Sequence, residues 1–307
     1  MAVLIDQLLS DLELTMRPFA VCEVATGWRL HLAKADWVTV HFVVAGSGRL
    51  RAGRDGRARV IPLPQHTLAL VPPSQVHQIE YGDPVEHDAA PTSPRRRADE
   101  LTAYEAGPTA DAELRIVCGR LRAKSTQGLG LFDHLRGPLA IDFADSPQMV
   151  HVFERLLEEE RQPSTASSVM ISALMSEALI LLFRRLRSDP EWPLPWLAAL
   201  EDPRLAEAIS LILEHPEQHH SVESLAEAAL MSRTAFAEAF RAHYDQGPMS
   251  YLREVRLRRA GDLLRQSEMT VDEVAGQVGY ASRSQFSRAF TARFGAAPAA
   301  YRSAMAG

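Results

Sequence analysis

The chain has 307 residues, of which 46% are apolar, and it carries a formal net charge of -6 at pH 7. This length exceeds that of one typical domain, so we expect two domains. Its two cysteines are too few for the disulfide framework of a secreted domain, and the negative charge argues against nonspecific polyanion binding by the whole chain.

The sequence contains no segment with the pattern of a signal peptide or a membrane span. Residues 1–14 carry acidic side chains among the apolar ones, and no basic stretch precedes the apolar positions. Residues 169–186 are apolar but contain Glu177, Arg184 and Arg185, which are costly in hydrocarbon and ordinary on an amphipathic helix. We therefore expect a soluble cytoplasmic protein with no membrane partner.

Residues 28–81 alternate short β-rich runs with Gly and Pro, a pattern typical of a small antiparallel sandwich or barrel. Residues 82–111 are polar and contain four prolines, which predicts a long mobile loop. Leu114, Ile116 and Cys118 then alternate, as on one face of a returning strand. The predicted runs before the loop are 38–45, 50–52, 60–63, 68–71 and 76–81.

Helical patterns begin after Ser146. Residues 147–161 and 168–187 both place apolar side chains three and four positions apart, which predicts two amphipathic helices. The stripe on the second helix either packs in the core or forms a dimer seam, and both interpretations stay open. Its members are Ile171, Leu174, Met175, Ala178, Leu182 and Phe183.

The C-terminal third contains an internal repeat. The hexapeptide S-V-E-S-L-A that begins at Ser221 recurs as T-V-D-E-V-A from Thr270, 49 residues later. A whole structural unit is therefore duplicated. Four further side chains recur with a spacing of 50: Phe236, Phe240, Pro248 and Tyr251 return as Phe286, Phe290, Pro298 and Tyr301.

Each copy has the pattern of a helix-turn-helix motif. A short helix ends at a turn, residues 229–231 or 278–280, and we expect Ser232 or Ser282 to cap the next helix. That helix buries two phenylalanines and leaves its other face free for the major groove of DNA. The pattern predicts motifs over residues 221–243 and 270–293.

The free faces of the two second helices differ in chemistry. The second face offers side chains long enough to reach base edges and phosphates. In the first, Ala237 offers only a methyl group, and Glu238 either accepts from a cytosine amino group or repels phosphate. We expect the second motif to make the stronger contact. The predicted DNA-binding residues are Arg233, Thr234, Ala237, Glu238, Arg283, Ser284, Gln285, Ser287 and Arg288.

Arginines also gather on the helix that joins the two motifs, at Arg256, Arg258 and Arg259. Phosphate contacts and ion pairs with nearby acidic residues both stay open for them. Two recognition helices joined by one rigid helix would enter successive major grooves roughly 34 Å apart.

The repeat resembles the DNA-binding domain of the AraC/XylS transcription regulators. Where that family has a glycine at the end of the first recognition helix, this chain has Asp245, and we expect Gly247 to take over with a shifted turn. The likeness lies in Leu225-Ala226, Met231-Ser232, 236–240, 251–252, Arg256-Leu257, Ala260, Val274-Ala275, 278–280, 286–290 and 294–302.

The N-terminal half resembles the cupin-type sensor domain of many family members, through residues 43–48 and 70–77. Enzymatic cupins bind a metal with two clustered histidines, a carboxylate and a later histidine, which is a common ligand set. His77 stands at the later position, whereas His41 has no histidine two residues away. His41 and His77 are therefore candidates for effector or metal binding, with ordinary packing as the alternative, and we expect no cofactor.

Cys22, which we place before the first strand of the sandwich, and Cys118 resemble the cysteines of a cupin-bearing branch of the family. Members of that branch sense oxidants, reactive chlorine in particular. The implied chemistry is thiolate oxidation to a disulfide or a sulfenic acid. The alternative is that both cysteines act as small buried apolar side chains.

We therefore predict an α+β multidomain chain. A cupin-like β-sandwich or barrel, the sensor, occupies residues 1–145, and a helical linker or dimerisation segment occupies residues 146–200. An all-α DNA-binding domain with two helix-turn-helix motifs follows over residues 201–307.

The leading hypothesis is a one-component transcription regulator and not an enzyme. Its expected partners are double-stranded promoter DNA, RNA polymerase, a second copy of the chain and a small effector or oxidant. The alternative is a metal-dependent cupin enzyme with an appended DNA-binding domain, against which the missing early ligands count. An architectural DNA binder without a sensor leaves the long N-terminal half unexplained.

Overall fold

The computed structural model describes residues 12–33, 35–53, 58–73, 75–89, 95–96, 102–108, 110, 112–125, 131–132, 135, 137–187, 199 and 202–305. The chain divides into two compact units. Residues 14–123 and 135–193 belong to the first unit, and residues 1–13, 124–134 and 194–307 belong to the second. No helix in the described part of the chain is long and apolar enough to cross a membrane.

The first unit is built on two β-sheets. Its described strands are β1 (Leu12–Val24), β2 (Trp28–Leu32), β3 (Val38–Ala45), β4 (Gly48–Ala52), β5 (Arg59–Leu63), β6 (Thr67–Val71), β7 (His77–Tyr81), β8 (His87–Ala89), β9 (Arg95–Arg96), β10 (Thr102–Ala106), β11 (Leu114–Ser125) and β12 (Leu139–Asp142). The seven-stranded sheet has the order β12-β6-β3-β11-β1-β10-β9, and the five-stranded sheet has the order β5-β4-β7-β2-β8.

The core of this unit comes from side chains that alternate along the strands. Leu50 in β4 pairs with Ile79 in β7, Ile79 pairs with Leu30 in β2, and all three are fully buried. Val43 of β3 and Ile116 of β11, from the other sheet, belong to the same apolar cluster. The predicted β-rich N-terminal fold is confirmed.

The prediction of one long loop over residues 82–111 is wrong for its described parts, because β8, β9 and β10 lie within it. β8 pairs in parallel with β2, and β10 pairs in parallel with β1. Parallel neighbours need no tight turn between them, so the hairpin signals that marked the earlier strands are missing here. Residues 90–94, 97–101, 109 and 111 lie outside the described residues.

The position expected for Cys22 is also wrong. Cys22 lies inside β1, the first described strand of the sandwich, and not before it. In the parallel pairing of β1 with β10, Cys22 lies opposite Tyr104.

Two helices follow the strands, α1 (Pro147–Arg161) and α2 (Ser167–Arg187), close to their predicted bounds. Phe153 of α1 stacks on Phe42 of β3, with ring centroids 4.1 Å apart. The predicted stripe on α2 is largely buried within the unit, at Leu174, Met175, Ala178, Leu182 and Phe183. These side chains serve the core of the monomer, so they do not form the dimer seam that was the other interpretation.

The second unit is helical. Its described helices are α3 (Pro203–Glu214), α4 (Val222–Ala228), α5 (Arg233–Tyr244), α6 (Pro248–Gln266), α7 (Val271–Gln277), α8 (Arg283–Phe294) and α9 (Pro298–Met305). Capping boxes at Ser221 and Thr270 begin α4 and α7. Ser232 caps α5 through the Ala235 amide, whereas Ser282 occupies the same position before α8 without a side-chain cap bond, so that part of the prediction is wrong.

The expected exit of α5 is wrong as well. Asp245 itself ends the helix in the left-handed region, with φ of 59°, and its amide donates to the Arg241 carbonyl. Gly247 has φ of -73° and is the N-cap of α6. The matching residue of the second copy is Gly295, with φ of 74°. Asp tolerates this conformation better than most residues, so the turn needs no shift.

Candidate functional site

The two turns of the repeated motif have the same backbone geometry. Leu230 follows α4 with φ of 53°, and Gly279 follows α7 with φ of 81°. The next amide bonds back to the short helix in both copies: Met231 donates to the Ala226 carbonyl, and Tyr280 donates to the Ala275 carbonyl, each at 2.9 Å. The duplication in sequence is therefore a duplication of structure that sets α5 and α8 at matching positions.

The recognition helices bury the side chains that the sequence predicted. Phe236 and Phe240 of α5 and Phe286 and Phe290 of α8 are all 0% exposed. The predicted DNA-binding residues lie on the outer faces, where Ala237 and Ser287 are half-buried. The other members of that set are exposed: Arg233, Thr234, Glu238, Arg283, Ser284, Gln285 and Arg288.

The first residue of each recognition helix is an arginine held by an acidic residue of the preceding helix. Arg233 Nη1 lies 2.7 Å from Glu223 Oε1, and Arg283 Nη1 lies 3.0 Å from Asp272 Oδ2. These ion pairs are largely solvent-exposed, so each contributes little stability. The acidic residue and the arginine lie at matching places in the two copies of the repeat, so the sequence could have indicated this pairing. Within the described part of the chain, no acidic side chain pairs with Arg288.

Most arginines of the connecting helix α6 serve the fold. Arg256 donates to the backbone carbonyls of Pro216 at 2.6 Å and Gln218 at 2.8 Å. The alternative of intramolecular ion pairs is observed for two more arginines: Arg258 pairs with Glu254 at 2.8 Å, and Arg259 pairs with Glu217 at 3.7 Å.

A second candidate site lies inside the β-sandwich, on the adjacent strands β3, β11 and β1. Cys118 of β11 is the direct cross-strand partner of His41 of β3, so both side chains leave the sheet on the same face. Cys22 of β1 forms a disulfide with Cys118, with Cα atoms 6.4 Å apart, a usual separation. From the sequence, Cys22 and Cys118 formed one candidate site and His41 belonged to another. The structure brings all three residues together.

His77 reaches the same cluster from β7 of the other sheet. Its Nε2 lies 2.8 Å from Nε2 of His41, and the Nδ1 of His41 lies 3.2 Å from Cys118 Sγ. Nδ1 of His77 lies 3.3 Å from the backbone oxygen of Gln75. Cys22, Cys118, His41 and His77 are between 0% and 6% exposed.

Burial controls the protonation of the two histidines. It lowers the pKa of His41 well below 6.5, with a further decrease from the neighbouring His77. It also lowers the pKa of His77 to about 4, against the hydrogen bond to Gln75, which raises it. Both rings are therefore neutral at pH 7, and each can donate a hydrogen bond from one ring nitrogen and accept one at the other. Among the described residues, no group of three or more His, Cys, Asp or Glu side chains is arranged to hold a metal ion.

A β-sandwich joined in one chain to two tandem helix-turn-helix motifs defines the class of one-chain transcription regulators. A family model described as "Cupin" matches residues 4–187, and one described as "Helix-turn-helix domain" matches residues 225–304. The chain belongs to the AraC/XylS family of DNA-binding transcription regulators and carries an N-terminal cupin domain.

Similar proteins have names that agree with this class. The HTH-type transcriptional regulator AlkR of Acinetobacter baylyi is 27% identical over 97% of this chain and 98% of its own. The RCS-specific transcriptional activator RclR of Escherichia coli is 33% identical over 48% of this chain and 52% of its own. The DNA-binding domain of AdpA, solved with a target DNA, is 39% identical. The match covers 32% of this chain and 89% of that domain, with a TM-score of 0.32. The chain is a transcription regulator.

Proposed function

We propose that this regulator binds double-stranded promoter DNA with α5 and α8, and that oxidation of Cys22 and Cys118 changes this binding. Two features support the proposal: the matched exposed faces of the recognition helices and the two cysteines joined between neighbouring strands of the buried core. The second feature carries the redox part, because two thiols at that separation form a disulfide without movement of the backbone.

On DNA, α8 reads the stronger half-site. Arg288 and Gln285 offer donors and acceptors that match purine edges in the major groove. Arg233 and Arg283 exchange their acidic partners for phosphate oxygens at little cost, since both ion pairs are exposed. The connecting helix α6 has 19 residues, or about 28 Å, which suits two successive grooves. Thr234, Ala237, Glu238, Ser284 and Ser287 complete the proposed interface.

In the sensor, the disulfide ties β1 to β11 next to the histidine pair. Its reduction removes the covalent link between these hydrogen-bonded strands and changes which arrangement of the regulator is populated. One relative is named an RCS-specific activator, and this favours a reactive chlorine species as the oxidant. His41 and His77 lie beside the reacting sulfur and belong to the same site.

We assign residues 1–145 to the sensor, 146–200 to the linker and dimerisation segment, and 201–307 to DNA binding, with motifs at 221–243 and 270–293. Apolar side chains on the outer face of α2 support a homodimer, since a second copy would cover them: Val169 is 68% exposed, Met170 42% and Ile180 38%. At the promoter the dimer meets RNA polymerase.

The test is fluorescence anisotropy with a labelled fragment from upstream of the regulator's own gene, against an excess of random DNA. We expect sequence-preferring binding whose affinity changes at least threefold between reduced protein and protein treated with hypochlorous acid. Cys118→Ser and Cys22→Ser should each bind with one affinity under both conditions. Equal affinity for specific and random fragments would refute the DNA proposal, and an oxidant response that persists in both serine variants would refute the redox proposal.

A further inference from the structure

The disulfide is one end of a buried line of polar groups, which we call the histidine relay: the Gln75 carbonyl, His77, His41 and Cys118. The successive separations are 3.3 Å, 2.8 Å and 3.2 Å. The relay crosses from the five-stranded sheet, which holds His77, to the seven-stranded sheet, which holds the other ring and the sulfur. The proposed function uses the two cysteines but assigns no role to the ring nitrogens.

In the reduced protein, with both rings neutral, the backbone carbonyl fixes the direction of the hydrogen bonds in the relay. A carbonyl oxygen only accepts, so Nδ1 of His77 carries the proton and donates to Gln75. His77 is neutral, so its Nε2 has no proton and accepts from Nε2 of His41. His41 is neutral too, so its Nδ1 is left with a bare lone pair that points at Cys118 Sγ. In the reduced protein this lone pair is the acceptor for the thiol proton.

The two cysteines differ in their surroundings. Beyond the disulfide, the sulfur of Cys22 has no hydrogen-bond partner among the described residues, and Cys22 is 0% exposed. Cys118 is 6% exposed and lies against His41, while its other acceptor, the Ile116 carbonyl, is farther away at 3.8 Å. A buried thiol without a base ionises poorly, whereas a thiol beside an imidazole is the usual form of a reactive cysteine.

We propose that His41 is the base that activates Cys118 and that His77 positions His41, so that Cys118 reacts with the oxidant first and Cys22 resolves the product. This inference rests on the redox function proposed above and adds the identity of the reacting thiol and its proton acceptor.

The chemistry balances with hypochlorous acid as the oxidant. The thiol proton of Cys118 passes to Nδ1 of His41, and the thiolate attacks chlorine, so that an S–Cl bond forms while the Cl–O bond breaks. The leaving hydroxide takes the proton from His41 and departs as water. The Cys22 sulfur then attacks the Cys118 sulfur, an S–S bond forms, chloride leaves and the Cys22 proton is released to solvent. Two thiols lose two electrons, and chlorine gains them as chloride.

Among the described residues, few other titratable groups face His41. Cys118 faces it from β11 and His77 from β7, while its partner on β6 is Ala69. Glu80 is also on β7, but it bonds to Arg29 and Arg51 of the five-stranded sheet. The pH dependence of Cys118 reactivity therefore reports on the histidine relay.

The test measures the alkylation rate of Cys118 by iodoacetamide against pH, in the full chain with Cys22→Ser. At pH 7 we expect His41→Gln to slow alkylation by about tenfold or more and to move the midpoint to higher pH. His77→Leu should do the same to a smaller extent. His87→Gln, an exposed histidine that packs on Trp28, is the matched control and should leave the profile unchanged.

If the midpoint of the pH profile is unchanged in His41→Gln, the proposal is overturned. It is also overturned if Cys22 in Cys118→Ser is alkylated faster than Cys118 in Cys22→Ser. If the His41 variant fails to fold, NMR of the imidazole nitrogens in the unaltered, reduced chain still decides. We expect a protonated Nε2 on His41 and a protonated Nδ1 on His77, and the opposite tautomers would overturn the relay.

The outcome is separable from that of the proposed function. If the histidines control alkylation but the DNA affinity is the same with and without the disulfide, the relay is supported and redox regulation is refuted. A DNA affinity that follows the disulfide, with alkylation indifferent to His41, would do the reverse.

Discussion

Replacing Gly279 with alanine should destabilise the second helix-turn-helix motif by about 2–4 kcal/mol. Gly279 has φ of 81°, where an L side chain costs roughly 1–2 kcal/mol. A Cβ there would lie 2.6 Å from the Glu217 carbonyl oxygen and 2.9 Å from the Arg256 guanidinium. Arg256 donates to the carbonyls of Pro216 and Gln218, so its displacement weakens these bonds by about 1–2 kcal/mol.

Hydrogen exchange of the full chain, followed by mass spectrometry of peptides from α7 and α8, measures this loss. A change of 2–4 kcal/mol corresponds to exchange about 30- to 900-fold faster in these peptides. Gly276→Ala is the matched control, because a Cβ there meets nothing within 4 Å and alanine favours a helix by up to about 1 kcal/mol. If the two variants exchange alike, the contact between the turn and residues 216–218 does not constrain the motif.

Three further predictions concern the DNA interface, the exit of α5 and the sensor. Arg288→Ala should weaken promoter binding by on the order of tenfold, and more than Thr234→Ala, in an anisotropy titration, because α8 carries the longer donors; equal losses would contradict the asymmetry. Asp245→Gly should stabilise the end of α5 by about 0.5–1 kcal/mol, seen as slower exchange there, because φ is 59°; faster exchange would count against it. The sensor should lose at least about 2 kcal/mol between pH 7 and pH 5 in urea titrations followed by tryptophan fluorescence, because burial lowers the pKa of His77 to about 4 and lowers that of His41 as well. A pH profile that His77→Leu leaves unaltered would show that the histidine is not responsible.

The sign of the last prediction follows from proton binding. The folded-state pKa of His77 lies below the unfolded value near 6.5, so the unfolded chain binds more protons in this range. The stabilising effect is therefore complete above the unfolded pKa and is lost as the pH falls from about 6.5 towards 4.

Much of the second unit could be predicted because its information is local and stated twice. Phe236 and Phe286, 50 residues apart, fixed the buried faces of both recognition helices, and the polar faces followed by elimination. The exit of α5 was harder, because Asp and Gly both occur in the left-handed region, and local backbone preference alone does not decide between Asp245 and Gly247.

The cysteine–histidine cluster depends on information that is not local. Cys118 meets His41 because β11 pairs with β3 in one register, and a shift by one residue would place them on opposite faces. His77 joins from another sheet, so no spacing along the chain marks it as a partner. For the same reason β8 and β10, which pair in parallel with distant strands, left no signal that pattern analysis detects.

We expect the two helix-turn-helix motifs to differ in stability as well as in chemistry, and both differences favour the second motif. The first holds its two left-handed positions with Leu230 and Asp245, whereas the second has Gly279 and Gly295 at the matching places. Each side chain in that region costs about 1 kcal/mol relative to glycine, so the first motif maintains the same backbone at a higher free energy. It also carries Ala237 on the face that we propose contacts DNA. We therefore expect α8 to anchor the regulator, while α5, in the less stable motif, responds to changes in the rest of the chain.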